Sequence, residues 1–159
     1  MYSELVERVV YMLEDSVRYA EEKLGKMNAV DLLKENHADA LGYFRYFLAK
    51  QVGIYLGEVS EHVLEVYAYS EMFDEETTLT MPLTLIVRME KYTAALESIV
   101  EALQKALLDE YRKMFSSITD NLSIFLIIYF VEEDDFLMRK GLAAAVKSLH
   151  APALRVWRR

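Results

Sequence analysis

Glu58, Glu61, His62 and Glu65 crowd into one short stretch, and each can ligate a metal ion or move a proton. On a helix Glu58, Glu61 and Glu65 share adjoining faces, because they are three and seven positions apart. Helical bundles hold divalent ions by projecting such carboxylates and imidazoles inward from facing helices. A divalent metal ion is therefore the cofactor these residues would take, although no cofactor is otherwise implied. The Glu-x-x-His spacing of di-iron bundles occurs nowhere in the chain. Glu61 and His62 are adjacent, which turns them about 100° apart on a helix, too far to chelate together. The competing reading is a solvated acidic face.

The same carboxylates enter a second pattern, Glu58-x-x-Glu61 followed by Glu71-x-x-Asp74. It is similar to the paired acidic motifs of the all-α nucleotide pyrophosphohydrolases of the MazG type. That resemblance implies magnesium held by the four carboxylates and bridging a nucleoside triphosphate.

Other catalytic classes lack their residues. The chain has no Cys, which excludes disulfides, thiolate metal sites and thiol nucleophiles. No Gly-rich loop precedes a helix and no nucleophile elbow is present, so phosphate loops and serine triads are set aside. Of the three His, His37 falls inside an apolar stripe, where a core histidine is expected, and His150 falls at a helix end. The net charge of −8 disfavours nucleic acid, whose binding needs a basic footprint. That charge is uneven. Gln51 to Val87 contains no Lys or Arg, whereas Arg139 to Arg159 contains no acid, so the two segments are expected to attract each other within or between subunits.

The elements that would position these groups follow from periodicity. Val30, Leu33, His37, Leu41, Phe44, Leu48, Val52, Tyr55, Val59, Val63 and Val66 recur at steps of three and four, predicting one helix from Ala29 to about Phe73. Gly53 and Gly57 would bend it, and with Ala49 they form a smooth face for a neighbouring helix. A first helix opens at Ser3, turns Leu5, Val6, Val9, Leu13, Val17, Ala20 and Leu24 inward, and closes at Gly25. Asn28 and Asp31 mark the next start. Thr80 and Pro82 begin a third helix carrying Leu85 to Met114 inward. Leu79, Met81, Leu83, Leu85 and Val87 also alternate as in a strand, but no partner strand stands nearby, so the helix is preferred. Ile124 to Val131, the longest apolar run, reads as the buried core of a last helix reaching Leu149. Pro152 ends it, leaving a basic tail at 151–159 that Trp157 pins to the body or to a partner.

The expected architecture is all-α, a mostly antiparallel bundle of four to five long helices in a single domain over 1–159. Five Gly and two Pro are too few for the many turns of an all-β fold. The scarcity of Asn and Gln suits a thermophilic source. Acids stand near the N-terminus where a secretory signal carries cations, and no apolar run approaches the roughly 20 residues that span a bilayer. The expectation is a cytoplasmic protein without membrane contact. Eleven tyrosines, many on several faces of the second helix, point to a covered surface. The function expected is an oligomerising or partner-binding module rather than an enzyme, engaging itself or another protein through Tyr43, Tyr46, Phe47, Tyr67, Tyr69 and Trp157. The alternative is the metal-binding bundle or pyrophosphohydrolase-like enzyme centred on the acidic cluster.

Overall fold

The computed structural model describes residues 2–69, 77–134 and 153–159. It corrects the all-α expectation: among the described residues four helices stand beside a four-stranded mixed sheet, so this is not a helical bundle. In chain order these are α1 (Tyr2–Lys23), α2 (Ala29–Lys34), α3 (Ala38–Val59), β1 (Val63–Ala68), β2 (Leu83–Met89), α4 (Ala94–Met114), β3 (Leu126–Glu132) and β4 (Leu154–Arg158).

The predicted helix from Ala29 is interrupted where the backbone finds better partners. Asn28 caps α2 by accepting from the Asp31 amide at 3.3 Å. Asn36 then adopts a left-handed conformation, φ 58°, which its short amide side chain tolerates. His37 follows in extended conformation and accepts from the Ala40 amide through Nδ1 at 3.3 Å. It is an exposed helix cap, not a core histidine.

After Val59 the chain becomes a strand. A bulge between Val63 and Glu65 places Val63 and Val66, three positions apart, in the same core. That irregularity continues a helical spacing inside a strand, which is why the stripe misleads. Thr80 and Pro82 likewise start no helix. Leu83, Leu85, Val87 and Met89 alternate into the core as β2, and α4 begins later, capped by Thr93, whose hydroxyl accepts from Leu96. The expected inward residues Leu96, Leu103, Leu107 and Tyr111 are buried on α4. Ile124 to Val131 is also no helix, since β3 occupies it. The predicted features at Phe73, Leu149, His150 and Pro152 lie outside the described residues.

The sheet order is β3-β2-β1-β4, with β1 antiparallel to β2 and β4, and β2 parallel to β3 through the α4 crossover. α3 lies on β1 and β4, α4 on β3, and α1 packs against α3 and α4. One core runs between these layers. Phe44, Tyr111, Phe115 and Phe125 fill its centre, with Tyr111 stacked on Phe125 at 3.8 Å between ring centroids.

Two side chains lock this arrangement. Arg45, 1% exposed, donates to the carbonyls of Met81 and Pro82 and lies 5.9 Å from the Phe125 centroid. It therefore fixes the chain entering β2 against α3. Burial lowers its pKa from 12.5 to about 10, because the charged form loses its hydration and the charge of neighbouring Tyr111 offsets only part of that cost. Burial likewise raises the Tyr111 pKa, and its hydroxyl donates to the Leu79 carbonyl.

α3 runs unbroken past Gly53 and Gly57. They form a notch for Trp157 of β4. A Cβ on Gly53 would stand 2.8 Å from Trp157 Cβ, and one on Gly57 would enter the indole ring. The smooth face thus receives a strand's tryptophan, not a helix. Beside it Arg159 donates to the carbonyls of Gly57, Ser60 and Val63. α3 has no basic residue in its last turn, so this distant arginine supplies the cation that the negative helix end favours. No helix among the described residues is long and apolar enough to cross a membrane.

Candidate functional site

The acidic quartet is divided among three elements. Glu58 ends α3 and pairs with Arg8 of α1 at 3.0 Å. Glu61 is exposed in the following turn, and His62 Nδ1 lies 3.6 Å from a Glu90 carboxylate oxygen. Glu65 lies on β1. Among the described residues no three His, Cys, Asp or Glu side chains converge as a metal centre. Glu71 and Asp74, which complete the pyrophosphohydrolase-like pattern, lie outside the described residues.

Glu65 instead joins a network on the sheet face opposite the helices. Its two carboxylate oxygens meet Arg88 at 2.7 Å and Arg155 at 3.0 Å, and Arg88 also meets Glu133 at 2.6 Å. Pairing of β1 with both β2 and β4 brings these charges together, so one acid of the acidic segment and one arginine of the basic tail attract within the chain. Burial raises the Glu65 pKa, but hydrogen bonds from Arg155 and Tyr67 and the Arg88 charge outweigh it and hold the group below its ordinary 4.5. Burial, reinforced by the bond to Glu65, pushes Tyr67 up to about 12. These two acids and two arginines offset one another's charge, while the second carboxylate oxygen of Glu133 is buried and accepts no hydrogen bond among the described residues. Their role is to clamp β1 to its neighbours.

That assignment has a pH signature. A carboxyl whose folded pKa is depressed stabilises the fold above its unfolded pKa and loses this contribution as pH falls through the folded value. Glu65→Gln is therefore expected to lower stability at neutral pH, with the difference from wild type shrinking below about pH 4.5. Urea unfolding at several pH values measures this, and a difference independent of pH would assign the loss to packing.

The predicted aromatics separate into buried and accessible groups. Trp157 fills the glycine notch, Tyr67 is buried beside Ile86 and Val131, and half-buried Tyr69 packs against both core clusters. Tyr43 and Tyr46, one turn apart on α3, instead line an open groove of about 510 Å³ with Tyr19, Ala38, Asp39, Gly42 and Leu154. Tyr19, on α1, stands edge-on to Tyr43 with centroids 6.3 Å apart, is 6.1 Å from Tyr46, and stacks on Phe47 at 4.6 Å. Gly42 leaves open space where a Cβ would stand, and Leu154 is 44% exposed at the start of β4.

The groove's chemistry is that of rings and one acid. Asp39, exposed in the first turn of α3, makes no ion pair among the described residues. A cation is already attracted here: Lys23 Nζ lies 5.5 Å from the Tyr19 centroid. Sequence reasoning missed Tyr19, Asp39 and Leu154. Tyr19 sits just off the inward face of α1, and such a flanking aromatic is the one signal that marked it. No family model, curated protein or solved structure matches this chain.

Proposed function

We propose that this chain is a protein-interaction module without catalysis of its own, docking a basic peptide segment in the groove of Tyr19, Tyr43 and Tyr46. The observation that carries this reading is the juxtaposition, in one open depression, of three partly accessible tyrosine rings with the carboxylate of Asp39, which makes no ion pair among the described residues. Tyrosine faces attract guanidinium and ammonium groups, and Leu154 offers apolar contact for the stem of such a side chain. The net charge of −8 favours the approach of a basic partner. Metal-dependent chemistry has no comparable support, because Glu58 and Glu65 are already engaged by arginines.

Calorimetric titration with a capped peptide carrying two arginines among glycines tests this. Saturable binding is expected, weakened about tenfold by Asp39→Asn or by Tyr46→Ala, a loss of about 1.4 kcal/mol for each. Absence of binding, or binding indifferent to both substitutions, would overturn the assignment.

A further inference from the structure

The two edges of the sheet are guarded differently. β4 at one edge carries exposed Arg155 and Arg158, the kind of charge that discourages strand addition. β3 at the other edge carries no charge before Glu132, and its neighbours Ile124 and Phe125 are also apolar. Within the chain it pairs with β2 on one side, and among the described residues no strand occupies the other. Its burial is incomplete: Ile127, Ile128 and Phe130 are half-buried and Tyr129 is 45% exposed, whereas inner strand β2 is nearly all buried. The most apolar segment of the sequence thus lies on an edge that the rest of the described chain covers only in part.

We infer that β3 is a pairing edge and that its partner is β3 of a second copy, joined antiparallel about a two-fold axis near Tyr129. Beyond the Leu126 carbonyl, which accepts from Gln104 of α4 at 3.1 Å, this edge presents N–H and C=O groups whose complement is another strand, and the same strand turned antiparallel matches it in length. The two-fold arrangement closes on itself and stops at a dimer. It sets Tyr129 beside its copy and Ile128 beside Phe130 of the second copy, joining apolar side chains on both faces. Charge selects the direction. Glu132, Glu133 and Asp134 follow at one end of β3, so parallel pairing would bring six acids together, whereas antiparallel pairing places the two groups at opposite ends. This surface is separate from the tyrosine groove, and either assignment can fail without the other.

Sedimentation equilibrium of the full chain tests the inference, alongside amide hydrogen exchange at low and high concentration. A concentration-dependent dimer is expected at about 100 μM, with alternate β3 amides exchanging more slowly as it forms. Tyr129→Lys, at a position already exposed, is expected to give a monomer with unchanged circular dichroism and melting temperature. A wild-type monomer throughout this range would overturn the inference. So would a dimer in which β3 exchange does not depend on concentration, a result that needs no variant to fold. A dimer that Tyr129→Lys leaves intact would contradict it as well, placing self-association on another surface.

Discussion

Gly57→Ala is expected to lower the melting temperature, although alanine is the better helix former. In an exposed helix the substitution would gain about 1 kcal/mol. Here the added methyl would overlap Cζ2 and Cη2 of the Trp157 indole and stand 3.0 Å from its Cε2. Overpacking of this kind costs about 1–3 kcal/mol, and more where the neighbour cannot move. Trp157 has little freedom, because β4 pairs with β1 beneath it and Arg159 lies 5.4 Å from its ring centroid. The expected net loss is about 2 kcal/mol, or roughly 4–8 °C for a chain of this size. In a Trp157→Ala background the obstruction is gone and Gly57→Ala should become neutral or stabilising, a coupling of about 2 kcal/mol in the double-mutant cycle. Thermal melts of the four proteins measure this. A Gly57→Ala protein as stable as wild type would mean that Trp157 does not occupy the notch.

Arg45→Ala is the second large effect. The substitution strips the Met81 and Pro82 carbonyls of their buried donor, and each unsatisfied group costs about 1–3 kcal/mol. It also opens a cavity beside Phe125 in the centre of the core. Removing a buried cation that has no ion-pair partner among the described residues offsets part of this. A net loss of about 3–4 kcal/mol in urea unfolding is expected. Arg45→Met, which fills the volume without the charge, should lose less, so the gap between the two variants reports the cavity. Arg45→Ala within about 0.5 kcal/mol of wild type would show that β2 needs no anchor from α3.

The difference in what the sequence discloses follows from which interactions are local. α1, its end at Gly25, the start at Asn28 and the inward face of α4 are set by caps and by a period of three to four residues, all readable within a short window. The sheet is not local. β1 is completed by β4, and the pairs that join them, such as Glu65 with Arg155, lie far apart along the chain. Three segments actively imitate helix. The bulge at Val63 preserves the three-residue step, Pro82 after Thr80 looks like a first turn, and Ile124 to Val131 is so uniformly apolar that it has no period at all. The alternation from Leu79 to Val87 did overlap β2, at Leu83, Leu85 and Val87, but its neighbours in the sheet were hidden in those other segments. The site was partly legible for the same reason. Tyr43 and Tyr46 share a helix and were visible together, whereas the position of Tyr19 and Leu154 beside them depends on how α1 and β4 meet α3.

The functional account rests on recognition at the tyrosine groove, and amide chemical-shift mapping during titration with the arginine peptide tests it most directly. The account predicts shifts concentrated at Tyr19, Ala38, Asp39, Gly42, Tyr43, Tyr46 and Leu154, saturating together and absent in Asp39→Asn. Shifts scattered over the acidic surface without saturation, or centred on Glu58, Glu61 and Glu65, would contradict it.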